Sequence, residues 1–135
     1  MTVEEFNKLR EDHNKGQRKK PVHREAQIQR ACVKWFRLQY PRYKNMLFSV
    51  PNGGCRNSIE AKLMKAEGVV PGVSDLILLV SRNGYSSLCL EAKTEEGKQS
   101  ENQIIWQTDC EKNGNKYVIF RSVEEFITEI TNYLK

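Results

Sequence analysis

Two short apolar runs, residues 75–80 and 86–93, flank an Asn-Gly pair at positions 83 and 84. Asn-Gly is a strong signal for a hairpin turn, because both central residues of such a turn need a positive φ. Both runs nevertheless contain charged residues, namely Asp75, Glu91 and Lys93. Strand interiors rarely hold charge, since burying an unpaired carboxylate costs several kcal/mol. We therefore expect a β-hairpin whose charged side chains have a functional role.

Hairpin geometry brings the two carboxylates together. A three-residue turn over 82–84 places Asp75 opposite Glu91, whereas a two-residue Asn-Gly turn shifts the pairing by one. Either register keeps the carboxylates close, because opposed Cβ atoms lie about 4.5–5.5 Å apart. Glu91 and Lys93 leave the same face of their strand, and the Ala92 carbonyl remains available at the strand end.

This cluster of charged side chains is suited to a divalent metal beside a phosphate. Two facing carboxylates repel each other unless one is protonated, and bound Mg²⁺ or Mn²⁺ removes that repulsion. Such an ion activates water and stabilises charge on the phosphate, while a lysine such as Lys93 orients the nucleophile. The residues therefore predict a metal-dependent nuclease. The alternative is that Asp75 caps a turn and that Glu91 and Lys93 are surface charges.

The rest of the chain alternates between helical and strand patterns. Helices are predicted over 23–40, 57–67, 100–113 and 122–134, and further strands over 46–50 and 116–121. This order predicts an α/β sandwich on a mixed sheet. Residues 1–21 form a polar, basic N-terminal arm, which is either a solvated tail or a segment that attracts phosphate. Residues 22–135 form one domain.

Composition excludes few partners. The net charge of +5 favours anionic partners only mildly. Of the four cysteines, none forms a C-x-x-C pair, so a structural zinc site is not expected. Cys32, Cys89 and Cys110 lie among apolar residues and are interpreted as core residues. With no signal peptide and no long apolar run, we expect a cytoplasmic protein with reduced thiols.

Several polar residues outside the hairpin allow two interpretations. Glu25 borders the apolar face of the first helix, either as an acid favoured by the helix dipole or as a side chain turned toward the sheet. Gln103 either completes a capping box with Ser100 or looks toward the sheet. Arg30, Lys34 and Arg37 form a basic helix face that is suited to phosphates.

The segment before the second helix is also ambiguous. Asn52, Gly53 and Gly54 form either a simple tight turn or a place where a nucleic-acid backbone approaches closely, with Arg56 on a phosphate.

Taken together, these motifs resemble a known family. Gly72-Val73-Ser74-Asp75 followed by Glu91-Ala92-Lys93 resembles the PD-(D/E)xK nuclease superfamily, and most closely its virus-type replication-repair nucleases, the VRR-NUC family. Four more segments of this chain support the resemblance: Pro51-Asn52-Gly53-Gly54 with Arg56, Ala61-Lys62-Leu63 before Gly68, Pro71-Gly72, and Gly97-Lys98-Gln99-Ser100 with Gln103 and Trp106. The resemblance covers residues 23–134. Ser74 departs from the pattern, since proline commonly precedes this aspartate.

The resemblance implies a restriction-endonuclease-like three-layer sandwich, with a central mixed β-sheet flanked by helices. Asp75, Glu91 and the Ala92 carbonyl would bind Mg²⁺ or Mn²⁺, Lys93 would be the catalytic lysine, and Glu25 and Gln103 would lie beside the metal.

The resemblance further implies an endonuclease that leaves 5′-phosphate and 3′-hydroxyl ends. Small stand-alone members look specific for branched DNA, and a homodimer would suit a four-way junction. A prokaryotic or phage-infected cell is the implied setting. The alternative is a nucleic-acid-binding module without catalysis, or a subunit of a repair complex.

Overall fold

The computed structural model describes residues 2–7, 21–51 and 57–135, with side chains left out at residues 21–23. Its helices are α1 Pro21–Gln39, α2 Ser58–Ala66, α3 Glu101–Lys112 and α4 Val123–Tyr133, with a 3-10 turn at Pro41–Tyr43. Its strands are β1 Leu47–Ser49, β2 Leu76–Leu78, β3 Leu88–Ala92 and β4 Lys116–Phe120. All eight confirm the predicted elements to within two residues at each end. A short helical segment also spans residues 3–7.

The four strands form one mixed sheet in the order β1-β2-β3-β4. β1 and β2 are antiparallel, as are β2 and β3, whereas β3 and β4 are parallel. The parallel pair needs a crossover connection, which α3 provides, because parallel strands cannot be joined by a tight turn. The predicted mixed sheet is therefore confirmed.

Helices cover both faces of this sheet. On one face, α1 and α4 contribute Cys32, Phe36, Phe126, Ile130 and Tyr133 to the larger core cluster. On the other face, α3 packs Cys110 and Trp106 against Cys89 and Tyr117. Alternate residues of β3 divide between the two clusters, as the period of a strand requires. The result is the expected three-layer arrangement.

The hairpin combines the two registers that the sequence left open. Its turn is the two-residue type, with Asn83 at φ 52° and Gly84 at φ 85°, between paired Arg82 and Tyr85. The strands instead pair Leu76 with Leu90, the register of the three-residue turn. Between these two pairings, the three residues 79–81 lie opposite only the two residues 86 and 87. The one additional residue on the first strand accounts for the change of register between the turn and the strands. Asp75 therefore lies opposite Glu91.

Side-chain caps begin three of the helices. The side chains of Asn57, Ser100 and Ser122 accept hydrogen bonds from the third residue beyond each cap. Ser122 and Glu125 form only half of a capping box, because the Glu125 carboxylate accepts from the Arg121 backbone N–H rather than from that of Ser122. This bond ties the start of α4 to the end of β4.

Candidate active site at the end of β3

The two predicted metal-binding carboxylates meet where β2 and β3 begin to separate. Asp75 directly precedes β2, and its Oδ2 accepts a 2.8 Å hydrogen bond from the Ala92 backbone N–H on β3. This bond extends the connection between the strands by one step beyond the regular ladder. Asp75 is partly buried, and Glu91 is only 2% exposed.

Glu91 has two oxygens in different environments. Oε1 accepts a 3.0 Å hydrogen bond from Gln103 Nε2 on α3. Oε2 is buried and has no hydrogen-bond partner among the described residues. Burial, with a further contribution from the adjacent Asp75 carboxylate, raises the pKa of Glu91 to about 8. A buried carboxylate oxygen without a donor is costly, so this position favours either a proton held with Asp75 or a bound cation.

Glu25 and Lys93 lie beside the carboxylate pair. Glu25 lies near the start of α1, close to the Thr94 backbone. Burial raises the pKa of Glu25, while the nearby Lys93 lowers it, Asp75 raises it further and the Thr94 backbone lowers it. Lys93 is 9% exposed, and its backbone N–H donates to the Phe120 carbonyl at 3.0 Å. The structure thus brings Glu25, Asp75, Glu91 and Lys93 into one locality.

Glu25 and Lys93 open onto a cleft of about 790 Å³. Its lining residues come from α1, from the segment after β3 and from the residue that follows β4: Arg24, Glu25, Ile28, Lys93, Thr94, Glu95, Glu96, Gly97, Lys98 and Arg121. Four of these residues are basic and three are acidic, so the cleft offers cations to a phosphate next to the Asp75–Glu91 pair, which does not itself line it.

Gln103 combines the two roles that the sequence offered as alternatives. Its Oε1 accepts from the Ser100 backbone N–H at 2.9 Å, and its Nε2 donates to Glu91 Oε1. Because a backbone N–H can only donate, the Ser100 contact fixes which end of the amide faces Glu91. The cap of α3 thereby orients a carboxylate of the site.

A sequence model of the VRR-NUC domain family matches residues 13–124. The chain belongs to this family. A solved structure described as a VRR_NUC domain protein aligns with a TM-score of 0.72 and 23% identity, covering 82% of this chain and 87% of that one. It confirms the fold. No curated protein matches the chain. VRR-NUC domains form a nuclease family, so the family match supports nuclease activity and DNA as the partner.

Two residues of the VRR-NUC motif before Asp75 have structural roles. Gly72 has φ +89°, and a Cβ added there would lie 2.3 Å from the Asn102 carbonyl oxygen. Only glycine lets the first turn of α3 approach so closely. Ser74, in place of the usual proline, is fully buried and donates from Oγ to the Leu76 carbonyl at 3.1 Å. The departure at this position is thus accommodated by a hydrogen bond.

Sequence reasoning missed Arg121, which directly follows β4. Its Nη1 donates to the Thr94 carbonyl at 2.6 Å, to the Gly97 carbonyl at 2.7 Å and to the Glu95 carbonyl at 3.3 Å. A methyl group on Gly97 would lie 3.4 Å from Lys93 Cδ, so this turn packs against the lysine stem. The only sequence signal was an arginine at the end of a strand.

The predicted DNA-binding residues separate into two groups. Arg30, Lys34 and Arg37 are exposed on α1, as expected. Asn52, Gly53, Gly54 and Arg56 lie outside the described residues, so their predicted contacts stay predictions. None of the helices in the described part of the chain has the length and apolar character needed to cross a bilayer.

The residues present suit a hard divalent cation. Within residues 2–7, 21–51 and 57–135, no three His, Cys, Asp or Glu side chains are grouped to hold a metal ion. The metal ligands predicted from the sequence include only two carboxylates, Asp75 and Glu91, together with the Ala92 carbonyl. Mg²⁺ commonly takes one or two carboxylates and completes its shell with water and phosphate oxygens. Glu91 Oε2, buried and unpartnered, is the donor that such a cation would satisfy.

Proposed function

We propose that this chain is a metal-dependent endodeoxyribonuclease that hydrolyses phosphodiester bonds with Mg²⁺ or Mn²⁺. Asp75, Glu91 and the Ala92 carbonyl would hold the ion. The observation that carries the proposal is Glu91 Oε2, which is buried without a hydrogen-bond donor among the described residues, beside the Asp75 carboxylate and close to Lys93. Without a cation, burial and the Asp75 carboxylate raise the pKa of Glu91, so the two carboxyl groups must hold a proton between them.

The chain's own residues divide the chemical work. When bound, the ion lowers the pKa of a water and offsets charge on the phosphate. Lys93 holds the attacking water in line and balances negative charge in the transition state. Glu25, next to Lys93, fixes the position of the ammonium. Gln103 orients Glu91, and the products carry 5′-phosphate and 3′-hydroxyl ends.

The proposed substrate is branched DNA, including four-way junctions, cut by a homodimer. Two copies would place two sites against two strands of a junction. The exposed apolar side chains of Ile104 and Ile105 on α3, 50% and 61% exposed, offer a surface for the second copy. The phosphate contacts of Arg30, Lys34 and Arg37 would make DNA binding salt-sensitive.

The test is cleavage of junction, flap and linear DNA in Mg²⁺, in Mn²⁺ and in EDTA. We expect cleavage with either metal, none in EDTA, and preference for branched DNA. Asp75→Ala should lose about 10²-fold or more of the rate, the scale of removing one electrostatic stabiliser. Asp109→Ala, on the exposed face of α3, is the matched control and should cut normally.

Binding to DNA without cleavage in either metal would contradict the proposal. That outcome would favour the alternative, a non-catalytic nucleic-acid-binding module or a subunit of a repair complex. Equal rates for wild type and Asp75→Ala would show that the nuclease activity comes from another site or a contaminant.

A further inference from the structure

A second concave surface lies between α1 and β1, outside the catalytic cleft. This groove has a volume of about 400 Å³. Arg30, Lys34 and Arg37 line it from the helix, Leu47 lines it from the strand, and Val33 and Leu38 add apolar area. No acidic side chain is among its lining residues. The groove therefore combines three cations with an apolar floor.

In the described part of the chain, the strand wall of this groove is an edge of the sheet. β1 is the first strand in the order and pairs with β2 on one side. The Met46 carbonyl accepts from the Leu79 N–H, and the Val50 N–H donates to the Asp75 carbonyl. Because backbone groups alternate in direction along a strand, Leu47 and Ser49 direct theirs away from β2. A ligand beside β1 would meet polar backbone as well as apolar side chains.

The groove and the catalytic cleft both border α1. At one end, Val50 is bonded to the backbone of Asp75. Along the helix wall, Glu25 belongs to the catalytic cleft and Arg37 to the groove, so α1 passes from one to the other. Twelve residues of helix separate these two, which is about 18 Å at the rise of an α-helix. The three basic residues of the groove are spaced by four and three residues and therefore share one face of α1, which differs from the face that carries Glu25.

We propose that this groove binds an unpaired strand of the DNA substrate. A duplex presents phosphates and sugars and hides its base faces in the stack. An unpaired strand exposes both, so its phosphates can lie on Arg30, Lys34 and Arg37 while its bases contact the apolar floor. That the ligand is DNA rests on the proposed function. The shape and charge of the groove are observed independently of that function.

The test is binding in EDTA, where no cleavage can occur. Fluorescence anisotropy would compare a labelled oligo-dT strand with a blunt duplex of the same length. Lys34→Glu should weaken binding of the single strand about 10-fold and binding of the duplex about 2-fold or less, because the reversed charge sits in the groove. Lys112→Glu, an exposed lysine at the end of α3, reverses the same charge elsewhere and should change both affinities equally little.

A second pair of variants tests the apolar floor. Leu38 lines the groove and is 75% exposed, so Leu38→Asp should reduce single-strand affinity as Lys34→Glu does, without loss of folding, and Leu38→Ile should not reduce it. Equal weakening of single strand and duplex by Lys34→Glu would overturn the inference in favour of general backbone contact. No weakening of either would also overturn it, and would leave the groove for another ligand such as an acidic peptide.

These outcomes separate the inference from the proposed function. A protein that binds the single strand through the groove yet cuts nothing in Mg²⁺ or Mn²⁺ keeps the inference and loses the nuclease proposal. If the wild type cuts DNA but Lys34→Glu leaves its single-strand affinity unchanged, the nuclease proposal is kept and the inference about the groove is lost.

Discussion

Glu91 shows how burial and charge repulsion act on a single carboxyl group. In the folded protein its pKa is raised to about 8 from an ordinary value of 4.5, first by burial and then by Asp75. The native state therefore holds the proton more tightly than the unfolded chain does. As the pH rises from about 4.5 to about 8, the unfolded chain releases its proton first, and the metal-free protein loses stability.

Replacing Glu91 with glutamine should remove this pH dependence. In EDTA at pH 8, we expect Glu91→Gln to be more stable than wild type by about 2 kcal/mol, since one pKa unit corresponds to about 1.4 kcal/mol and water penetration reduces the full effect. At pH 5 the two should be nearly equal. Urea unfolding at both pH values measures the difference. A gap of the same size at pH 5 and pH 8 would show that the titration of Glu91 is not the cause.

Arg121 acts on the site through the backbone of the turn at 94–97. Arg121→Lys keeps the charge but cannot reach several carbonyls at once, so the turn beside Lys93 should loosen. We expect the cleavage rate to fall about 10- to 100-fold, the range found for residues that orient a metal site, with DNA affinity unchanged. Single-turnover cleavage and anisotropy measure the two separately.

Arg24→Lys is the matched control, because Arg24 lines the same cleft and is exposed. It should leave the cleavage rate unchanged. If Arg121→Lys weakens DNA binding and leaves the single-turnover rate intact, Arg121 contacts DNA instead of positioning the turn.

At the scale of elements, α3 connects helix capping to the site. Ser100→Ala removes the acceptor for the Gln103 N–H and should destabilise the protein by about 1 kcal/mol. Gln103→Leu should cost a similar amount and also remove the donor to Glu91. At a temperature where both variants are folded, we expect Ser100→Ala to cut at nearly the wild-type rate and Gln103→Leu to cut about 10-fold more slowly. Equal rates for the two variants would mean that the bond to Glu91 does not matter.

The elements themselves could be predicted because their signals are local. Asn57, Ser100 and Ser122 mark helix starts within a few residues, and Asn83-Gly84 marks its turn. The sequence left two possible registers for the hairpin. Nothing in it reveals that the three residues 79–81 lie opposite only two residues, 86 and 87.

The acidic and basic residues of the site were predictable from the hairpin and the family resemblance. Arg121 was not, because its contact with Thr94 depends on β4 lying parallel to β3, two strands that a helix separates in sequence. The groove beside β1 was missed for a similar reason, since α1 and β1 meet only in the folded protein.

At the scale of the whole molecule, two exposed isoleucines on α3 bear on the proposed homodimer. We expect wild type to have twice the 15.7 kDa mass of one chain in sedimentation equilibrium. Ile105→Glu should shift the mass to that of the monomer without loss of helix content, because the side chain is already 61% exposed.

Leu38→Glu, on α1 across the sheet, is the control and should remain dimeric. A monomeric wild type would remove the homodimer from the proposed function. A dimer that survives Ile105→Glu would place its interface elsewhere.

The internal position of β3 has a consequence for how the site is lost. β3 is bonded to β2 on one side and β4 on the other, and the N–H groups of Ala92 and Lys93 are held by Asp75 and Phe120. Such amides exchange with solvent only when the domain opens as a whole. Glu91 and Lys93 therefore occupy the segment that opens last, and local fraying of α2 would leave them in place.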